Sequence, residues 1–206
     1  MKPVFESTAR KILLSLAAVG LAGALAGMGT FATFTATTSA SQSVSSGTVV
    51  IALGNTGAST NRLTVNATGL VPGDTIQRSF DLSNTGSQDL ASIALTTSAS
   101  PSSLLDTDGT NGLQMVIDRC SVAWTESGSS PAFSYSCSGS TTTIITSRAV
   151  IQSSLSMAGL SALTASGSDH LRLTLTFPSS AGATFQGLSS TLTYSFLGTQ
   201  RNGSAH

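Results

Sequence analysis

Apolar residues occupy every second position in one short segment after another along this chain, a period that suits a strand with one face buried and the other wet. Leu63, Val65 and Ala67 alternate with Arg62, Thr64 and Asn66, and Ile76, Phe80 and Leu82 with Gln77, Ser79 and Asp81. Ile93 and Leu95 keep the rule. So do Leu113, Met115 and Ile117, then Leu171, Leu173, Leu175 and Phe177, and finally Leu192, Tyr194 and Phe196. Turn formers separate these segments: Val71-Pro72-Gly73-Asp74, Asn84-Thr85-Gly86-Ser87, Asp106-Thr107-Asp108-Gly109, Asn111-Gly112 and Ser166-Gly167-Ser168-Asp169. The pattern predicts an all-β fold, a jelly-roll-like antiparallel β-sandwich. Residues 148–163 break the rhythm and are read as a short helix or a crossover loop in a Greek-key or jelly-roll topology.

The start of the chain obeys a different rule. Lys2, Arg10 and Lys11 form a positive beginning, residues 12–25 are an uninterrupted run of apolar and small residues, and residues 26–32 end in side chains small enough for a signal peptidase. Residues 1–32 are therefore read as a signal helix, cut between Ala32 and Thr33. The alternative is that residues 12–34 stay as an uncleaved membrane anchor. The expected organisation is a signal peptide (1–32), an N-terminal arm (33–46), one β-sandwich domain (47–202) and a short tail (203–206). All the lysine lies in the signal, so the part from Thr33 carries six Arg against eight acids, a net charge of about −2 with no basic patch. Nucleic-acid binding, which needs clustered Lys and Arg to displace counterions from phosphates, is excluded as an expectation.

Cys120 and Cys137 both fall in the exported part, where such a pair is most simply a disulfide, here closing a hairpin-like segment that holds Trp124, Phe133 and Tyr135. Other chemistry is sparse. His170 and His206 are the only imidazoles, and no His-Glu-x-x-His helix is present. Asp169-His170 is followed by no Gly-x-Ser-x-Gly elbow, so a turn Asp before a strand explains it as well as a catalytic triad. Residues 106–111 place oxygen ligands like the opening of a calcium loop but lack the closing Glu, and are read as an Asp/Gly turn. Neither a catalytic residue nor a cofactor or metal site is predicted.

Four segments carry a resemblance. Gly29-Thr30-Phe31-Ala32-Thr33-Phe34 has the form of a Gly-Thr-aromatic-Ala-x-Phe signal junction, and Ser46-Gly47-Thr48-Val49 has the form of an opening strand. Leu70-Val71-Pro72-Gly73-Asp74 precedes a strand ending in Asn84-Thr85-Gly86-Ser87, and Gln186-Gly187-Leu188 precedes a last strand closing on Thr199-Gln200-Arg201. In this order and spread over most of the chain, they resemble the TasA/camelysin family of Gram-positive bacteria. The resemblance implies a jelly-roll subunit cut by a dedicated signal peptidase and found outside the cell, at the surface or in the extracellular matrix. It also implies self-association into biofilm-matrix fibres, or attachment to other matrix or envelope proteins. The freed arm, with Thr33, Phe34, Thr35 and Val44, would act as a donor strand on the next subunit. Residues 33–46 fit that role in being Thr-rich and free of charge, Pro and Gly. They fit a frayed terminus or an intramolecular edge strand equally. A monomeric surface adhesin using Trp124, Phe133 and Tyr135 is the alternative function. Some members of the family are named metallopeptidases, an activity for which this chain shows no recognisable zinc motif.

Overall fold

The computed structural model describes residues 46–64 and 69–203, together with Leu16. The signal segment with the Ala32–Thr33 junction, and the arm with Phe34, Thr35 and Val44, otherwise lie outside the described residues. Among the described residues ten strands follow in order: β1 (Ile51–Leu53), β2 (Thr75–Asn84), β3 (Leu90–Ala99), β4 (Gln114–Cys120), β5 (Thr125–Ser129), β6 (Ala132–Ser136), β7 (Thr141–Ala149), β8 (Gln152–Ser156), β9 (Ser168–Thr176) and β10 (Leu192–Gln200). One short helix, α1 (Leu104–Thr107), stands between β3 and β4.

The strands form an antiparallel sandwich. A five-stranded sheet runs β1-β2-β9-β4-β7, a three-stranded sheet runs β10-β3-β8, and β5 and β6 make a separate hairpin. The chain passes repeatedly from one sheet to the other, as in a jelly roll. Alternation turns Phe80 and Leu82 of β2, Met115 and Ile117 of β4, and Leu171 and Leu173 of β9 inward against Ile93 and Leu95 of β3, all of them fully buried. Each large side chain so buried is worth about 1.5–3 kcal/mol relative to exposure, and this layer holds the sandwich together. Thr75 of β2 and Gln114 of β4 both lie opposite Thr176, which marks an upper end. Asn84 lies opposite Ile51 at the lower end.

One expectation fails, and one open reading is decided. Of the strand expected at residues 62–67, residues 65–67 lie outside the described residues, and residues 62–64 do not form it: Asn61 makes one bridge to Phe80 and the Arg62 N–H donates to the Ser79 carbonyl, after which Leu63 and Thr64 turn away. Leu63 finds its apolar contact from a turn instead, so alternation there reports packing without a ladder. Residues 148–163 hold no α-helix. They finish β7, cross between sheets at Val150, form β8 and end in a 3-10 turn, Ser161–Leu163. Of the two readings of this segment the crossover is the correct one, because buried Val150 and Met157 sit on either side of a short Ser-rich strand that has no helical apolar face.

Candidate functional site

The upper end of the sandwich is incompletely filled. Between the start of β2, the end of β9 and the start of β10 lies an open groove of about 930 Å³, walled by Ile76, Leu175, Leu192 and Tyr194 and roofed by the loops carrying Leu70 and Leu188. Alternation places these apolar side chains inward. Leu192, Tyr194 and Phe196 face inward from β10, an edge strand of the three-stranded sheet, and are only partly buried. Arg78, on the same inward face of β2, lines the groove while only 3% exposed. Its guanidinium donates to the Gln77 carbonyl and lies 5.7 Å from the centre of the Phe133 ring. Burial pushes Arg78 below the ordinary guanidinium value and pushes the Tyr194 phenol up.

Beside the groove runs the best-formed open edge. The outermost strands of the two main sheets are β1, β7, β8 and β10. β1 has three residues, β8 has five with a register shift, and β7 is interrupted by two shifts, devices that shorten or twist an edge against further pairing. β10 differs. It pairs with β3 in unbroken register from Leu192 to Thr199, and no described strand pairs with its other side.

A second constellation covers the outer face of the five-stranded sheet. Cys120 and Cys137 form the expected disulfide, which ties the end of β4 to the chain leaving the β5–β6 hairpin. Glu126 of the hairpin accepts from Arg62 at 2.6 and 2.9 Å and from the Tyr135 hydroxyl at 2.8 Å. The hydrogen bond from Arg62 holds the Glu126 carboxyl below its ordinary value, against the opposing effect of burial. Arg62 stacks 4.6 Å from the Phe133 ring centre and Arg172 stacks 4.4 Å from that of Trp124, and Arg172 also pairs with Asp118 at 2.8 Å. The three aromatics named for an adhesin are thus engaged inside the molecule, with Tyr135 buried.

The remaining polar candidates separate. Asp169 turns inward to accept from the Ser161 and Ala162 N–H groups and pairs with Arg119, whereas His170 turns outward, its Nδ1 2.8 Å from Asp81. Successive strand residues face opposite ways, so Asp169 and His170 do not act together; the partner across the ladder, Asp81, is the one the sequence did not point to. Asp106 closes a capping box with Ser103, and Asp108 accepts from the Thr110 and Asn111 N–H groups. Burial would raise the Asp106 carboxyl, but hydrogen bonds from Ser102, Ser190 and the Ser103 N–H outweigh it and hold the group below its usual value. Those carboxylates serve the turn and leave no calcium loop. Among the described residues no three His, Cys, Asp or Glu side chains converge, and both cysteines are oxidised.

No curated protein matches the chain. The family model described as camelysin metallo-endopeptidase matches residues 7–205. Covered nearly end to end by that model, the chain belongs to the TasA/camelysin family.

Proposed function

We propose that this protein is an exported structural subunit whose copies join into extracellular fibres, the arm of one copy adding to β10 and the groove of the next. The observation that carries this reading is the regular, uncovered β10 edge beside a partly empty apolar groove. Polarity supports it. The described body begins at the lower end, where the Thr48 N–H donates to Ser87, while the groove opens at the upper end. An arm leaving one copy from below arrives at the top of a copy beneath it, and such a head-to-tail contact repeats without closing. The arm matches a half-buried edge position: Phe34, Ala36, Ala40 and Val44 fall on one side of its alternation, and the other side is Ser and Thr throughout.

Protein beginning at Thr33, purified and imaged by electron microscopy, is expected to form filaments, and protein beginning at Gly47 to remain monomeric. A Thr33 form that stays monomeric at high concentration overturns the proposal.

A further inference from the structure

The charges of the strands are sorted between the two sheets. Arg78 and Asp81 of β2, Asp118 and Arg119 of β4, Arg148 of β7, and Asp169 and Arg172 of β9 all belong to the five-stranded sheet. β3, β8 and β10 contain no charged residue at all. The outer face of that second sheet is made mostly of Ser, Thr and Ala in cross-strand rows, Thr193 beside Ser98, Ser195 beside Thr96, and Ala94 between Leu197 and Ser156. On the edge strand β10 stands Leu197, 64% exposed. Solvated sheets ordinarily carry charge, Lys above all, as a guard against stacking and edge pairing, and this face has none.

We infer that the outer face of the three-stranded sheet is a lateral contact, taken up by the same face of a second copy in a neighbouring fibre. Like charges would oppose face-to-face packing of identical surfaces, and here no charge stands in the way. The side chains of the rest of the face are short, which lets two such faces approach closely with the exposed leucine of β10 between them. The size of the face sets when the contact forms. About 30 Å of strand by three strands at ~4.8 Å gives ~400 Å² per copy, against ~800 Å² per partner for a stable complex. One pair of free subunits therefore does not hold, whereas many copies aligned along two fibres do. The inference rests on the fibre reading above and adds to it the surface through which fibres bundle.

The test uses Leu197→Lys and Thr96→Lys in the protein beginning at Thr33, followed by low-speed sedimentation and electron microscopy. Circular dichroism and melting temperature, expected to match the unsubstituted protein because both positions are exposed, report folding. The expected result is single filaments in place of bundles, with the low-speed pellet reduced at least fivefold, and with bundling of the unsubstituted protein insensitive to salt between 50 mM and 500 mM. Bundles undiminished in both variants overturn the lateral contact while leaving the fibre reading standing. Loss of all filaments in folded Thr96→Lys and Leu197→Lys assigns the face to the longitudinal joint and also overturns it. So does co-sedimentation with phosphatidylglycerol vesicles that Leu197→Lys abolishes without changing bundling, an outcome that assigns the face to lipid.

Discussion

Arginine does unusual duty in this chain. From Thr33 onward it supplies every Lys or Arg charge, and three of the six, Arg62, Arg78 and Arg172, lie over aromatic rings. A planar guanidinium can stack on a ring and still donate in its plane, as Arg172 does to Asp118, which an ammonium cannot reproduce. Arg172→Lys is accordingly expected to lower stability by about 1–2 kcal/mol in chemical denaturation, through loss of the stacked contact with Trp124. Glu126 has a pH signature. Its folded-state value is depressed below 4.5, so its contribution is fully present above that pH and is lost as pH falls through the folded-state value. The melting temperature is expected to drop as pH falls below 4.5, and to drop less in Glu126→Gln; equal slopes in the two proteins would dismiss the Arg62 pair as a stabilising contact. Deeper in, Phe80→Ala is expected to cost ~3–5 kcal/mol, since Phe80 is fully buried and packs against Phe196 at 5.4 Å between ring centres.

Among the elements, the long strands β2, β9 and β10 were legible because one face is buried and the other is not, so their residues alternate in kind. β7 was not legible. Its run of threonines around Ile144 and Ile145 has no period of two, because bulges shift which side each residue faces. The β5–β6 hairpin was legible only through its cysteines. Its strands are mostly exposed, and it is held by the disulfide, the Arg62–Glu126 pair and the aromatic contacts instead of by a core. Cys120→Ser with Cys137→Ser is expected to lower stability by about 3 kcal/mol. Limited proteolysis should then cut first within residues 127–134. Cleavage spread evenly over the body would show instead that the hairpin does not open by itself.

At the scale of the whole molecule, the candidate site lies where two sheets of unequal width meet. Nothing within β10 distinguishes it from other alternating strands; its neighbours do, with β3 on one side and no described strand on the other. Leu188 stands on the rim of the groove, 38% exposed. Leu188→Arg is expected to leave the melting temperature within about 2 °C, as exposed substitutions do, and to cut filament yield at least tenfold if the arm enters there. Filaments formed at the original yield by a folded Leu188→Arg protein would move the joint away from the groove.

Taken alone, the sequence determined the class of fold, the faces of its main strands and the disulfide. Each of these follows from local spacing or from a countable pair of residues. The tertiary structure decided which strand is left at an edge, where the sandwich is underfilled, that His170 meets Asp81 and not Asp169, and that of the two main sheets only the five-stranded one carries charge. Period two says which side of a strand is buried, but it carries no record of the strand that lies beside it, and that neighbour is chosen only when distant segments pack around a common core.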